Sequence, residues 1–278
     1  MRNLLVGGII LLAFIGATWK KVASLPKELH EVSGLTFLND TLLVAHNDGG
    51  DSAKIYILST NGKIQNHVAL KSATNVDFED ITTDGKKYLY LADIGNNSNN
   101  RKNLVIYKIP TEGLSKSKSV TAARILFSYP EQSAFPPPKT EYYYDAECIA
   151  YHNDSLYIFT KCRTEPFDGI CKVYKLPCSA GTHKAKLVYS LKIGKRDWYR
   201  DAVTGGEFYK NQLFLLTYNR VIAYDLKNGK AVYHSEHALS LTQKESLTVS
   251  PKGLIFIADE HHKLLGGGNL YTLKWDLK

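Results

Sequence analysis

A chain of 278 residues, 44% of them hydrophobic and 22% charged, is long enough to bury one large core, and this composition excludes disorder. Eighteen Tyr and ten Phe beside a single Met, together with many Val, Ile and Thr, favour strands over helices, so the chain reads as all-β. The formal charge of +8 comes with Lys residues dispersed through turns, without a basic stripe or helix, and this argues against nucleic acid as a partner.

Taken in chain order, Met1, Arg2 and Asn3 precede an apolar run from Leu4 to Ala17 that ends in the passable cleavage site Ile15-Gly16-Ala17. The run is shorter than the roughly 20 residues of a spanning helix. Residues 1–19 are therefore expected to be a signal peptide or, failing cleavage, an N-terminal anchor, although Lys20 and Lys21 weigh against translocation. A secreted or periplasmic protein is expected, touching a membrane only through an uncleaved N-terminus. No Cys lies near the leader, so a bacterial lipid-anchor site is absent.

Beyond the leader, residues 20–278 read as one domain built on a diverged repeat. The first copy runs S-G-L-T-F from Ser33, L-L-V-A-H-N from Leu42, K-I-Y-I-L from Lys54 and I-Q-N-H-V-A-L from Ile64. Each segment has strand length, and Asn-Asp and Asn-Gly mark turns between them. The second copy has segments from Glu79, Tyr88, Val105 and Arg124, and the third from Glu147, Leu156, Cys171 and Lys186. The fourth has them from Thr204, Leu213, Val221 and Ala231. The fifth has them from Glu245, Leu254 and Asn269 and lacks its last strand.

Four strands per unit is the blade of a β-propeller. Five blades are expected, with Lys20 to Leu25 supplying the missing strand and closing the ring, which removes the sheet edges an open array would expose. Successive leading residues are 46, 68, 57 and 41 apart, so long insertions fall in the second and third blades. Cys148, Cys162, Cys171 and Cys178 lack the C-x-x-C spacing of zinc sites. Cys162 and Cys171 end and begin neighbouring strands, which suggests a hairpin disulfide; two buried thiols are the alternative.

In a propeller the first strand of each blade lies innermost, so Ser33, Glu79, Glu147, Thr204 and Glu245 are expected to ring the axis. Three carboxylates crowded there repel unless protonated, hydrated or neutralised. The donor set is all oxygen, which selects a hard cation, and a wide ring completed by water suits Ca2+ better than Mg2+; a water-filled channel with an Arg or Lys reaching in is the alternative.

This S/E/E/T/E order resembles that of the secreted calcium-activated nucleotidases (apyrases), which implies a five-bladed propeller with an axial calcium; Thr204 stands where that family has Ser. More extensively, H-N-D-G-G-D (His46 to Asp51), N-V-D-F-E-D (Asn75 to Asp80), L-A-D-I-G-N-N (Leu91 to Asn97) and D-A-E-C-I-A-Y from Asp145 resemble a family of exported bacterial propeller proteins of unassigned function. That second resemblance implies fold and export and names no reaction.

Loops after the second strands, and segments before the first strands, are expected to surround the channel mouth. They bring Asp48, Asp93, Asp145, Lys161, Arg163, Arg200, Asp201 and Arg220 as ligand-binding candidates, with Asp77, Tyr218 and Glu260 among their neighbours. Trp198, the Tyr142–Tyr144 run and the Phe135–Pro138 loop offer aromatic and apolar surface. The reading is an exported, monomeric calcium-binding propeller that takes a small-molecule, glycan or peptide ligand at this face. The alternative is a calcium-dependent phosphohydrolase of apyrase type, in which carboxylates hold the metal and the basic residues clamp phosphate. A glycosidase with paired carboxylates is a further reading that spacing does not test.

Overall fold

The computed structural model describes residues 18–228 and 230–275. The expected leader, apart from Thr18 and Trp19, lies outside them. The first strand, β1 (Thr18–Ser24), begins two residues before the expected domain boundary. Blade 1 then contains β2 (Val32–Phe37), β3 (Leu42–Asn47), β4 (Lys54–Ser59) and β5 (Ile64–Lys71). Blade 2 contains β6 (Phe78–Thr83), β7 (Tyr88–Asp93) and β8 (Val105–Pro110), followed by β9 (Ser119–Thr121) and β10 (Ala123–Ser128). Blade 3 is built from β11 (Asp145–His152), β12 (Ser155–Lys161), β13 (Ile170–Pro177) and β15 (Lys186–Lys192), with β14 (Gly181–Lys184) in the insertion between the last two. Blade 4 follows α1 (Trp198–Asp201) and holds β16 (Gly205–Tyr209), β17 (Gln212–Thr217), β18 (Arg220–Lys227) and β19 (Lys230–Ala238). Blade 5 holds β20 (Lys244–Val249), β21 (Leu254–Asp259) and β22 (Asn269–Lys274).

The five sheets are the five expected blades, and β1 completes the last, pairing antiparallel with β22 from Thr18↔Lys274 to Ser24↔Asn269. Each element departs from its sequence-predicted bounds by only a few residues. Two strands were not anticipated. β9, from the insertion of blade 2, adds in parallel to the outer edge of blade 1, and β14, from the insertion of blade 3, adds in parallel to the outer edge of blade 2. Each long insertion thus reaches back and covers the exposed edge of the preceding blade.

Residue type follows radial position. The middle strands are buried on both faces, as the run Leu-Phe-Leu-Leu-Thr in β17 requires. Outer strands such as β5 alternate between exposed and buried positions, because one face meets solvent. The core is divided into five clusters, one at each junction between neighbouring blades. Ile57, Phe78 and Leu91 join blades 1 and 2, for example, and Leu29, Phe256 and Leu270 join blades 5 and 1. Burial of each such side chain contributes roughly 1.5–3 kcal/mol, so the blades hold one another in register through apolar area.

All four cysteines are free, and the expected Cys162–Cys171 bridge is not formed. β12 ends at Lys161, so Cys162 falls past the paired strand, where its thiol donates to Asp168 Oδ1 at 3.2 Å and lies 3.3 Å from Thr164 Oγ1. Cys171 faces Leu191 on the other side of its strand.

Candidate functional site at the channel mouth

The inner strands carry a shared irregularity. Pairing with the second strand skips one residue in blades 1, 2, 3 and 5, and the skipped residues are Ser33, Glu79, Glu147 and Glu245. A bulge re-aims the side chain it carries, so four of the five ring positions are set off from the alternating pattern of their strands. Thr204 precedes β16 and holds the equivalent place without a bulge. All five are buried from bulk solvent.

Their chemistry then diverges. Ser33 Oγ donates to Glu79 O at 2.8 Å and Thr204 Oγ1 donates to Lys244 O at 2.6 Å, so both hydroxyls staple one blade to the next. Glu147 receives Lys161 Nζ at 2.5 Å and Arg163 Nη2 at 3.3 Å. Lys161 Nζ also lies 3.1 Å from the Tyr218 hydroxyl. Burial works to lower the Lys161 pKa, but Glu147, with Tyr218 and Glu245, outweighs it and holds the ammonium well above its ordinary value. Burial pushes Glu245 up to about 8 against the opposing pull of Lys161.

Glu79 is different. It is 5% exposed, and its carboxylate has neither a hydrogen-bond donor nor a cation among the described residues. Its oxygens come within 4.8 Å of those of Asp48 and Asp77 in one group and of Asp145 and Glu147 in another. Burial first, and then the neighbouring carboxylates, push Glu79 well above the usual carboxylate range and Asp77 to about 6. Burial also pushes Asp48 to about 7, with Asp77 and Glu147 adding to the rise. The mouth is therefore bipolar: unneutralised carboxylates gather between blades 1 and 2, and two cations stand on the blade 3 side.

Of the eight ligand-binding candidates, Asp48, Asp145, Lys161 and Arg163 meet at this mouth. Asp145 is fully enclosed, taking the Arg163 Nε–H and the Asn96 N–H, the latter at 2.7 Å. Asp93 supports the site from behind, accepting from Asp77 N at 3.1 Å and from Arg101 Nη2 at 2.8 Å. Arg220 and Asp201 form a separate brace, joined at 2.7 Å and extended by Arg196 and Glu236. Arg200 is exposed and pairs with Asp197, the residue that caps its own short helix.

Sequence reasoning overlooked Gly49 and Gly95. A Cβ on Gly95 would stand 2.0 Å from Glu79 Oε1 and 2.3 Å from Asp77 Oδ2, and one on Gly49 would stand 3.0 Å from Asp77 Oδ1. Gly49 directly follows Asp48 and Gly95 stands two residues after Asp93, in the H-N-D-G-G-D and L-A-D-I-G-N-N runs, the only signal the sequence offered. Next to Arg163, a cavity of about 180 Å³ is lined by Asn97, Lys139, Tyr142, Thr164 and Trp198. Trp198 is 46% exposed, and its ring centre lies 5.6 Å from the Arg163 guanidinium and 5.9 Å from Lys161 Nζ.

No protein-family model matches the sequence, and no curated protein matches it. Solved structures do resemble the fold. Glutaminyl cyclase of Myxococcus xanthus superposes with a TM-score of 0.59 at 12% identity, over 92% of this chain and 95% of that one. The PQQ-bound aldose sugar dehydrogenase of Streptomyces coelicolor gives 0.56 at 9% identity, over 93% and 98%. A luciferin-regenerating enzyme gives 0.53 at 9% identity, over 94% and 96%. Identities this low establish a common propeller scaffold and carry no chemistry to this chain.

Proposed function

We propose that this chain is an exported calcium-binding β-propeller that captures an extracytoplasmic ligand at the mouth of its channel. The observation that carries this reading is the bipolar mouth: buried Glu79 and half-buried Asp77, without hydrogen-bond donors among the described residues, beside Asp48 on one side, and Lys161, Arg163 and the exposed Trp198 on the other. Calcium fits the donor chemistry, because the ring Ser33, Glu79, Glu147, Thr204 and Glu245 and the adjoining Asp48, Asp77 and Asp145 offer oxygen alone. Once bound, it would relieve the repulsion among the carboxylates and present a positive centre to the ligand. Export rests on the run Leu4–Ala17.

The second reading, a calcium-dependent phosphohydrolase of apyrase type, draws support from Arg163. Its Nε and Nη2 are committed to Asp145 and Glu147, while Nη1 has no protein acceptor among the described residues, and the Arg163 side chain lines the same cavity as Trp198. A guanidinium N–H placed there would stabilise charge on a phosphoryl oxygen.

Thermal melting with calcium tests the common premise. At a hundred-fold excess over Kd, calcium should stabilise the fold by about 2.7 kcal/mol, and chelator should reverse the gain. Glu79→Gln should cut that gain to about half or less. A melting curve indifferent to millimolar calcium sinks the cation. Phosphate release from nucleoside di- and triphosphates then separates hydrolase from binding module, and inactivity across that panel with calcium bound rules for binding.

A further inference from the structure

The mouth divides its charges unevenly, and the division locates the cation. Lys161 Nζ already stands between Glu147, at 2.5 Å, and the Tyr218 hydroxyl of blade 4, at 3.1 Å, so a divalent ion on that side of the ring would face a buried ammonium. In the sector between blades 1 and 2 the cation is Arg101, which donates to Gly95 O at 2.7 Å and to Asp93 Oδ1 at 2.8 Å and makes no hydrogen bond to Asp48, Asp77 or Glu79. There Asp77 and Glu79 receive no donor on their carboxylates among the described residues, and Asp48 receives one, the N–H of Gly49. Three carboxylates in contact with so few donors are a costly arrangement for a folded chain to keep.

The space around them is kept open by side chains that are missing. Gly95 leaves free the volume into which Glu79 Oε1 and Asp77 Oδ2 project, and its backbone needs no left-handed conformation, so it is there for room. The loops are pinned from outside the cluster: Asn75 Nδ2 donates to Asp48 O at 2.8 Å, Asn75 Oδ1 accepts from Phe78 N at 3.1 Å, and Gly95 N donates to Asp77 O at 3.2 Å. A rigid frame around undonated oxygens is the arrangement of a prepared ion seat.

We infer that Asp48, Asp77 and Glu79, around the cradle left by Gly49 and Gly95, form the seat of one hard divalent cation, calcium by its all-carboxylate donor set, and that the centre of the axial ring does not. This rests on the reading that the mouth takes a cation, and it specifies where. Glu79 also lies within 4.8 Å of Asp145 and Glu147, the two carboxylates that hold Arg163, so a ligand bearing an anionic oxygen would be able to reach both the metal and the guanidinium.

Isothermal titration of the full chain with CaCl2 tests the assignment. The wild type should bind one ion. Asp77→Asn and Glu79→Gln should each weaken it by about ten- to a hundred-fold, the range seen when a metal site loses a supporting group. Gly95→Ala should weaken it comparably although it removes no charge, because the new methyl displaces two ligand oxygens. Glu245→Gln and Thr204→Ala, in blades 5 and 4, should weaken it far less than these three. Asp48→Asn serves as a second variant should either first one fail to show a native melting transition. Affinity that survives Asp77→Asn and Glu79→Gln but falls with Glu245→Gln overturns the sector assignment and leaves a ring-centred cation standing. A wild-type chain that binds no calcium overturns both.

Discussion

His46 shows how far a single residue here depends on its neighbours. Its ring is fully buried in blade 1, Nδ1 donates to Asn47 O at 2.9 Å, and Nε2 has no hydrogen-bond partner among the described residues. Burial lowers its pKa to about 4, so the ring is neutral at ordinary pH. It fits only because residue 34 is Gly: a Cβ there would stand 2.0 Å from His46 Nε2, and Phe78 closes the other side edge-on at 5.8 Å. Gly34→Ala should therefore destabilise the fold by about 1–3 kcal/mol, the usual cost of overpacking. Urea denaturation read by fluorescence measures it, and an unchanged midpoint would show that the ring can retreat. Gly34 was legible in the sequence only as part of the S-G-L-T-F repeat. Its purpose became visible once His46 was seen opposite it in the β2–β3 register.

At the scale of the element, the inner strands pose the hardest problem, because each presents an unpaired edge to the channel. The solution is a relay from blade to blade. Asp80 of β6 accepts from Ile149 N of β11 at 2.9 Å, Thr82 accepts from Tyr151 N at 3.2 Å, and Glu207 of β16 accepts from Val249 N of β20 at 2.6 Å. The Ser33 and Thr204 hydroxyls add two donors to carbonyls of the next blade. Asp80→Ala strands the Ile149 amide together with Ile81 N, which bonds the same carboxylate at 2.8 Å, and each buried unpaired group costs about 1–3 kcal/mol. Asp80→Asn keeps one acceptor and should cost less. Equal losses for the two variants in equilibrium unfolding would show that the relay is not what holds this edge. The strands themselves were legible, since length, alternation and turn residues are local. The relay was not, because it joins residues as far apart as Asp80 and Ile149.

For the whole molecule, closure is the decisive feature. β1 supplies the outer strand of blade 5, Trp19 stacks on Tyr271 with ring centres 4.2 Å apart, and Leu25 N bonds Gly268 O at 2.8 Å. The start and end of the described chain are thereby fastened into one sheet. Removing residues 18–24 should open the ring, expose the edge of β22 and lower the melting temperature sharply, with a gain in aggregation. Light scattering during a thermal ramp distinguishes this from a harmless truncation, in which scattering and midpoint would stay where they were. The sector-bound cation would act at the same scale, since Asp48 comes from blade 1 whereas Asp77 and Glu79 belong to blade 2.

Blade number, strand order within the blades and closure by the N-terminal strand all lay in the sequence, as did the expectation about the residues that lead the inner strands, because hydrophobic period, turn chemistry and repeat spacing are properties of short segments. What the tertiary structure alone decided is how those residues divide their work. The bulges re-aim four ring side chains, Lys161 neutralises one part of the ring, two hydroxyls turn away to join blades, and Arg200, Asp201 and Arg220 settle into a brace apart from the mouth. Which charges meet across a channel is set by the packing of blades far apart in the chain, and no local pattern encodes it.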